Sequence, residues 1–155
     1  MLVFMDRRTG KAAVVPDASP SGFSSVAVYV VATTAEGTEF ALATAGRLAD
    51  GLDVQIIILV PHVVPYPLAL DDDTEASSAI ARHYSAIASA IGLDATVRLC
   101  RCRSPRDVFR SHLRERSIVV VGGCRHRLWP TSAERLARRL ERQGHQVLFA
   151  TMGGV

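Results

Sequence analysis

The residues best suited to chemistry lie between Gly122 and Ser132, directly after the apolar stretch Ser117–Val121. They combine backbone freedom, hydroxyl groups and positive charge: Gly122, Gly123, Arg125, Arg127, Thr131 and Ser132. Free N–H groups at a turn or a helix start attract anions, and arginine pairs well with phosphate. This loop therefore predicts a site for a phosphate-bearing ligand. In the alternative interpretation, the glycines only make a turn, Thr131 only caps a helix and the arginines only face solvent.

Trp129 and Pro130 lie in the sequence between the arginines, Arg125 and Arg127, and the hydroxyl residues, Thr131 and Ser132. An indole ring beside guanidinium groups can stack on a nucleotide base. A lone tryptophan in a loop also packs on its own domain or anchors an interface. The loop is therefore a candidate for binding either a base or a partner.

Other chemistry has less support. The pairs Cys100-x-Cys102 and Cys124-x-His126 contain cysteine and histidine, the residue types that zinc prefers as ligands. Two cysteines that alternate along a strand share one face but do not converge on one ion, so we expect no metal site. The chain has no G-x-S-x-G elbow, no Walker A loop and no G-x-G-x-x-G after the first strand. We therefore expect no catalytic residue and favour a protein that is not an enzyme.

The elements that must position this loop alternate between strand and helix. Stretches rich in valine and isoleucine predict five strands: Ser25–Ala32, Val54–Val60, Ala95–Cys102, Ser117–Val121 and Gln146–Ala150. Helical spacing, caps and terminal glycines predict four helices between them, over Thr38–Asp50, from about Asp71, from Ser104 and from Thr131. Pro61–Leu70 and Gly122–Pro130 are predicted as loops, and Thr131 with Glu134 as a capping box.

This alternation predicts an α/β fold, a three-layer doubly wound sheet of five mainly parallel strands with helices on both faces. Ligands bind such sheets beyond the carboxyl ends of the strands, near the switch in strand order. The loops after residues 32, 60, 102 and 121 are therefore the candidate binding surface.

Residues 1–24 stand apart from the alternating pattern. Leu2–Met5 and Ala12–Val15 flank a polar turn, as in a short hairpin, and residues 16–22 resemble a linker. We therefore divide the chain into an N-terminal extension, 1–24, and one domain, 25–155.

The composition is that of a soluble globular domain of 155 residues. No apolar run is long enough for a membrane span, and the N-terminus lacks the form of a signal peptide. Three cysteines, an odd number, argue against a disulfide framework. We expect a cytoplasmic protein that does not bind membranes.

Charge is unevenly distributed along the chain. Residues 1–96 hold 5 basic and 11 acidic residues, whereas residues 97–155 hold 13 arginines and 4 acidic residues. A basic half attracts phosphates, nucleic acid or an acidic partner. The same excess of arginine also arises when arginines line the solvated faces of helices. We favour that interpretation over nucleic-acid binding.

From about Ser25 to its end, the chain resembles the universal stress protein family. The matching stretches are Glu39–Leu42 with Ala45 and Leu48-Ala49, Ile58–Pro65, Ser104-Pro105, Ile118–Gly122 and Ser132–Leu136. Their order and spacing carry the resemblance. It implies strand order 3-2-1-4-5, a role in the stress response, ATP or another adenine nucleotide as ligand, and a homodimer through the last strand, Gln146–Ala150.

The chain departs from the family's ATP-binding pattern at the end of the first strand. ATP-binding members have an Asp there, near the adenine. Aligned on Ala41-Leu42, this chain has Ala32 at that position, followed by Thr33. We include Ala32 and Thr33 in the candidate site, without the carboxylate.

The phosphate loop departs as well. The family pattern is Gly, two residues, Gly, nine residues, then Gly and Ser or Thr. Gly122 matches the first glycine, Arg125 stands at the second, and Pro130 or Thr131 replaces the last. Arginine cannot copy the close backbone approach that glycine allows. We therefore expect no ATP binding in the usual manner of the family.

Three functions follow from these residues. We favour a non-catalytic binding and regulatory domain with an altered nucleotide site. The first alternative is a switch or enzyme that uses Gly122–Ser132 on a phosphorylated ligand. The second alternative is a nucleic-acid binder that uses the arginine-rich half.

Overall fold

The computed structural model describes residues 2–5, 12–15, 26–70, 75–104 and 109–152. These ranges contain seven strands and three helices: β1 Leu2–Met5, β2 Ala12–Val15, β3 Val26–Val31, α1 Ala35–Ala49, β4 Val54–Val63, α2 Glu75–Ala90, β5 Ala95–Cys102, β6 Ile118–Gly123, α3 Ser132–Arg142 and β7 Gln146–Thr151. None of the helices in these ranges has the length and apolar character that a membrane span requires.

All seven strands join one sheet, in the order β2-β1-β5-β4-β3-β6-β7. The five strands from β3 to β7 pair with one another in parallel. Numbered 1 to 5 along the chain, they lie in the order 3-2-1-4-5 across the sheet. This confirms the predicted fold class and strand order. β1 and β2 pair antiparallel, and β1 joins the outer edge of β5 through Leu2 and Val3.

Apolar side chains cover both faces of the parallel strands. On one face, α1 and α2 pack over a cluster that includes Val30 and Ile58. On the other face, α3 and the turns near Phe109 pack over a cluster that includes Val31 and Leu59. Neighbouring residues of one strand thus enter opposite cores, which explains why the central strands are apolar almost throughout.

α1 begins earlier than predicted, at Ala35 rather than Thr38. Thr34 is its N-cap, because the Thr34 hydroxyl accepts a hydrogen bond from the Gly37 amide at 3.0 Å. The helix ends before Gly51, whose φ of 72° is a left-handed conformation that glycine adopts readily.

β4 is longer than predicted, so the prediction of a loop from Pro61 is wrong. β4 pairs with β5 as far as Val63, which lies opposite Cys102. β3 ends at Val31, opposite Leu59. Pro61 therefore lies where β4 has a neighbour on one side only, and its missing N–H is tolerated there.

The helix predicted from Ser104 is not present over residues 109–116, which form turns. The Leu113 amide donates to the Phe109 carbonyl at 3.1 Å, which makes one helical turn. Arg116 has a φ of 55°, a conformation that a right-handed helix cannot continue through. The predicted helix start at residues 105–107 and the acidic residues 71–73 lie outside the described residues.

Candidate functional site

The carboxyl ends of β3 and β6 lie side by side at the centre of the sheet, where Val31 pairs with Val121. The chain leaves β3 toward α1 on one face and leaves β6 toward α3 on the other. Parallel sheets bind ligands at such switch points. The fold thus brings Ala32 and Thr33 close to the end of β6.

Gly122 belongs to β6 and not to the following loop. It pairs with Ala150, and Gly123 pairs with Thr151, so the prediction that the loop starts at Gly122 is wrong. A Cβ on Gly122 would overlap the carbonyl oxygen of Gly37. A Cβ on Gly37 would lie 2.8 Å from the carbonyl oxygen of Gly122. Both glycines are needed for the first turn of α1 to lie against β6.

Thr33 joins the two strand ends through its side chain. Its hydroxyl donates to the Gly122 carbonyl at 2.8 Å, and its amide donates to the Thr38 hydroxyl at 3.1 Å. Ala32 is buried, and its amide donates to the Leu59 carbonyl at 2.9 Å. The backbone amides of Ala32 and Thr33 and the Thr33 hydroxyl therefore bond inside the domain, and neither residue supplies a carboxylate.

Gly123 fixes the distance between β6 and α3. A Cβ at this position would lie 2.8 Å from the Ala133 Cβ and 3.4 Å from the Phe149 ring. Ala133 is buried in the first turn of α3. The absence of a side chain at Gly123 thus lets the start of α3 lie close to the sheet.

The start of α3 has the predicted capping box. The Thr131 hydroxyl accepts from the Glu134 amide at 3.2 Å, and the Glu134 carboxylate accepts from the Thr131 amide at 2.8 Å. The amides of Ser132 and Ala133 remain, since no helical carbonyl precedes them. The carboxylate of Glu134 places negative charge at this helix start, which opposes a bound anion.

Between β6 and α3, a loop borders a cavity of about 500 Å³. The cavity is lined by His126, Arg127, Leu128, Trp129, Pro130 and Thr131. The Thr131 hydroxyl donates to the Cys124 carbonyl at 3.1 Å, which ties the two ends of the loop together. Leu128 and Trp129 are 85% and 80% exposed, so their apolar side chains are available to a ligand or partner.

The two arginines of this loop lie in different surroundings. The Arg125 guanidinium lies over the Phe149 ring, with its Cζ 5.3 Å from the ring centroid. Arg127 lines the cavity and is exposed. The structure therefore brings Arg127 and Thr131 together in one cavity, whereas Arg125 contacts the ring of β7.

A second cavity, of about 430 Å³, lies between the end of β4 and α2. It is lined by Val60, Pro61, Ala79, Ile80, His83 and Tyr84. The rings of His83 and Tyr84 meet edge to face, with centroids 5.2 Å apart, and burial raises the pKa of the Tyr84 hydroxyl. Sequence reasoning missed this cavity, because His83 and Tyr84 follow the helical pattern that also predicts packing.

All three cysteines are free thiols. Cys100 is fully buried, and burial raises its pKa to about 12. Cys124 is exposed, and its loop follows β6, which β4 and β3 separate from the β5 cysteines. Within the described ranges, no group of three His, Cys, Asp or Glu side chains is arranged to hold a metal ion.

Known proteins resemble this chain in structure. No protein-family model matches it, and no curated protein matches it. A universal stress protein from Archaeoglobus fulgidus superposes with a TM-score of 0.58 at 17% identity, over 80% of this chain and 92% of that chain. A universal stress protein crystallised in complex with cAMP superposes with a TM-score of 0.51 at 20% identity, over 84% and 100% of the two chains. The chain therefore has the universal stress protein fold, as the resemblance in its sequence predicted.

Proposed function

We propose that this protein is a non-catalytic regulatory domain of the stress response that binds a mononucleotide in the loop cavity before α3. The observation that carries the proposal is the cavity of about 500 Å³ with Trp129, Arg127 and Thr131 in its lining. That volume lies in the range of small-molecule sites. The neighbour solved with cAMP supports an adenine nucleotide as the ligand class.

The contacts around the two glycines favour a ligand with a single phosphate over ATP. The missing side chains of Gly122 and Gly123 make room for α1 and α3. Glu134 adds negative charge at the helix start, where a polyphosphate chain would bring several more negative charges. A monophosphate needs fewer donors and meets less of this repulsion.

In the proposed complex, the base stacks on Trp129 and the phosphate lies between Arg127 and the start of α3. An exposed indole supplies a stacking surface without sequence or base preference. The guanidinium can hold two phosphate oxygens at once. The amide and hydroxyl of Ser132, which is exposed, add further donors.

Trp129 is the only tryptophan, so its fluorescence reports on the cavity directly. Titration with AMP or cAMP is expected to quench it. In calorimetry, Trp129→Ala should cost ~1–3 kcal/mol of binding free energy, the value of one base–aromatic stack, and Trp129→Phe should cost less. Arg127→Gln should weaken binding, whereas Arg110→Gln, at an exposed arginine of the turns at 109–116, should not. If the nucleotide binds saturably and neither Arg127→Gln nor Trp129→Ala changes its affinity, the proposed site is refuted.

We also propose that two copies associate through β7 and that the protein is cytoplasmic. Within the described residues β7 pairs only with β6, so its other edge offers unpaired backbone groups to a second β7. Leu148 on this strand is 42% exposed. The cytoplasmic location is supported by the free thiols, which are typical of reducing compartments.

A further inference from the structure

The solvent side of α3 carries a stripe of arginines. The stripe consists of Arg135, Arg138, Arg139 and Arg142. At 3.6 residues per turn, these positions fall within about 100° of the helix circumference. Ala133, Ala137 and Leu140 are buried on the opposite side. The arginine stripe therefore faces away from the sheet, with Arg135, Arg138 and Arg142 exposed and Arg139 half-buried, along about 10 Å of helix at 1.5 Å per residue.

The positive charge of the stripe is only partly offset within α3, which carries two glutamates, Glu134 and Glu141, against the four arginines. Within residues 26–70, 75–104 and 109–152, none of its four arginines forms an ion pair. Glu134, one turn before Arg138, is held by the Thr131 amide in the capping box. The stripe thus offers four guanidinium groups to an external anion.

The loop that precedes α3 in the sequence adds a basic and an aromatic side chain. Arg127 and Trp129 lie just before the helix start, and Trp129 is 80% exposed. In the order of the sequence, Arg127 and Trp129 therefore precede the four arginines of α3. Proteins that bind single-stranded nucleic acid combine these two features: positive charge for the backbone and aromatic rings for the bases.

We propose that the arginine stripe of α3, together with Trp129, binds single-stranded nucleic acid. The guanidinium groups contact successive backbone phosphates, and one base stacks on Trp129. Arginine suits this role because its planar fork matches phosphate oxygens in pairs. The four arginines lie outside the lining of the loop cavity, whereas Trp129 belongs to it. The two proposals therefore share the Trp129 ring but differ in the residues that hold phosphate.

The composition of the surface favours a nucleic acid over an acidic protein. Protein interfaces usually centre on buried aromatic or aliphatic anchors within a polar rim. Between Arg135 and Arg142 the solvent side of α3 has no such anchor, and the exposed large apolar residues lie at one end, at Leu128 and Trp129. This arrangement fits a strand that runs along the helix and ends on an aromatic platform.

The test uses a fluorescein-labelled oligothymidylate of twelve nucleotides with the full-length protein. Anisotropy at low salt should show binding, and Trp129 fluorescence should be quenched in parallel. The double variant Arg135→Gln/Arg142→Gln should weaken binding about tenfold. It should also lower the slope of log affinity against log salt by about 1.4, because each phosphate that is no longer neutralised removes ~0.7 from that slope.

Two matched variants control for folding and for total charge. Arg135→Lys/Arg142→Lys keeps the charge and should retain most of the affinity. Arg47→Gln/Arg82→Gln removes two exposed arginines from α1 and α2, on the other face, and should leave the affinity unchanged. Equal losses for the two glutamine variants would overturn the proposal, because net charge alone would then explain the binding.

Two further results would also overturn it: no anisotropy change at low salt, or equally tight binding of a polyglutamate peptide without quenching of Trp129. The second result would assign the stripe to an acidic protein. Failure of the mononucleotide site is separable from failure of the stripe. In that case AMP gives no quench, while the oligonucleotide still binds and still responds to Arg135→Gln/Arg142→Gln.

Discussion

Gly122 lies where α1 and β6 come closest, and an added methyl group has no room there. We expect Gly122→Ala to lower the free energy of unfolding by ~1–3 kcal/mol, the usual cost of overpacking. Urea denaturation followed by circular dichroism measures this. Gly144→Ala is a matched control, because nothing lies within 4 Å of its added Cβ and only its φ of 92° costs energy, roughly 1 kcal/mol. An unchanged stability in Gly122→Ala would contradict the packing role.

Cys100 is expected to stay unreactive while the protein is folded, because burial raises its pKa to about 12. Exposed Cys124 should react with iodoacetamide at pH 8, and peptide mass spectrometry distinguishes the two sites. The raised pKa also predicts a pH effect. Above pH 9 the unfolded thiol loses its proton while the folded one keeps it, so stability should fall as pH rises from 9 toward 12. Rapid labelling of Cys100 in the native protein would contradict this account.

Among the elements, α3 begins with a capping box at the same helix start as the candidate anion site. Glu134→Gln keeps the box, since glutamine also serves at this position, and removes the negative charge. We expect AMP and inorganic phosphate to bind about two- to fivefold more tightly, as for a charge change worth ~0.3–1 kcal/mol at a helix end. Trp129 fluorescence measures the affinity for AMP, and calorimetry measures the affinity for inorganic phosphate. Glu141→Gln, near the other end of α3, should leave both affinities unchanged, and equal effects of the two variants would rule out a site at the helix start.

The loop after β4 is held by Arg103. Its guanidinium donates to the carbonyls of Val64, Pro65 and Leu68 at 3.0, 3.1 and 2.7 Å, and lies 4.1 Å from the Tyr66 ring centroid. A lysine cannot reach all three carbonyls or stack in the same way. We expect Arg103→Lys to speed hydrogen exchange of the Leu68 amide about tenfold, the value of one hydrogen bond to a charged group. Arg82→Lys on α2 is the control and should leave the exchange rate of the Leu68 amide unchanged. An equally unchanged rate in Arg103→Lys would show that the loop keeps its structure without Arg103.

The elements themselves could largely be predicted from the sequence. Runs such as Ile56–Val60 are apolar on both faces, and the capping box of Thr131 and Glu134 has a local signature. The ends of the strands were harder to predict, because pairing with a neighbouring strand determines where a strand ends. Nothing local in Pro61–Val63 or Gly122-Gly123 shows that β5 or β7 continues alongside.

The loops of the candidate site were predictable in position, whereas the contacts within them were not. The fold requires loops at the carboxyl ends of β3 and β6, and sequence reasoning identified both. The role of Gly122 depends on Gly37, 85 residues earlier, and such a contact leaves no trace in spacing. The only local sign is a glycine within the first turn of α1, where helix propensity disfavours it.

At the scale of the molecule, the described helices on the two sides of the sheet differ in charge. Helices α1 and α2 together carry three glutamates, Glu36, Glu39 and Glu75, and two arginines. The layer of α3 presents the arginine stripe. The charge asymmetry of the sequence thus becomes an asymmetry of faces, which orients anions toward the loop before α3.

The order of the affinities for ATP and AMP tests most directly whether the site takes a monophosphate. A polyphosphate loop of the family's kind would favour ATP, and this chain lacks that loop. Calorimetry with and without Mg²⁺ measures both. We predict that AMP binds at least as tightly as ATP and that Mg²⁺ changes neither affinity appreciably. ATP binding tenfold or more tighter than AMP would contradict the account, since it would require the polyphosphate site that Gly122, Gly123 and Glu134 disfavour.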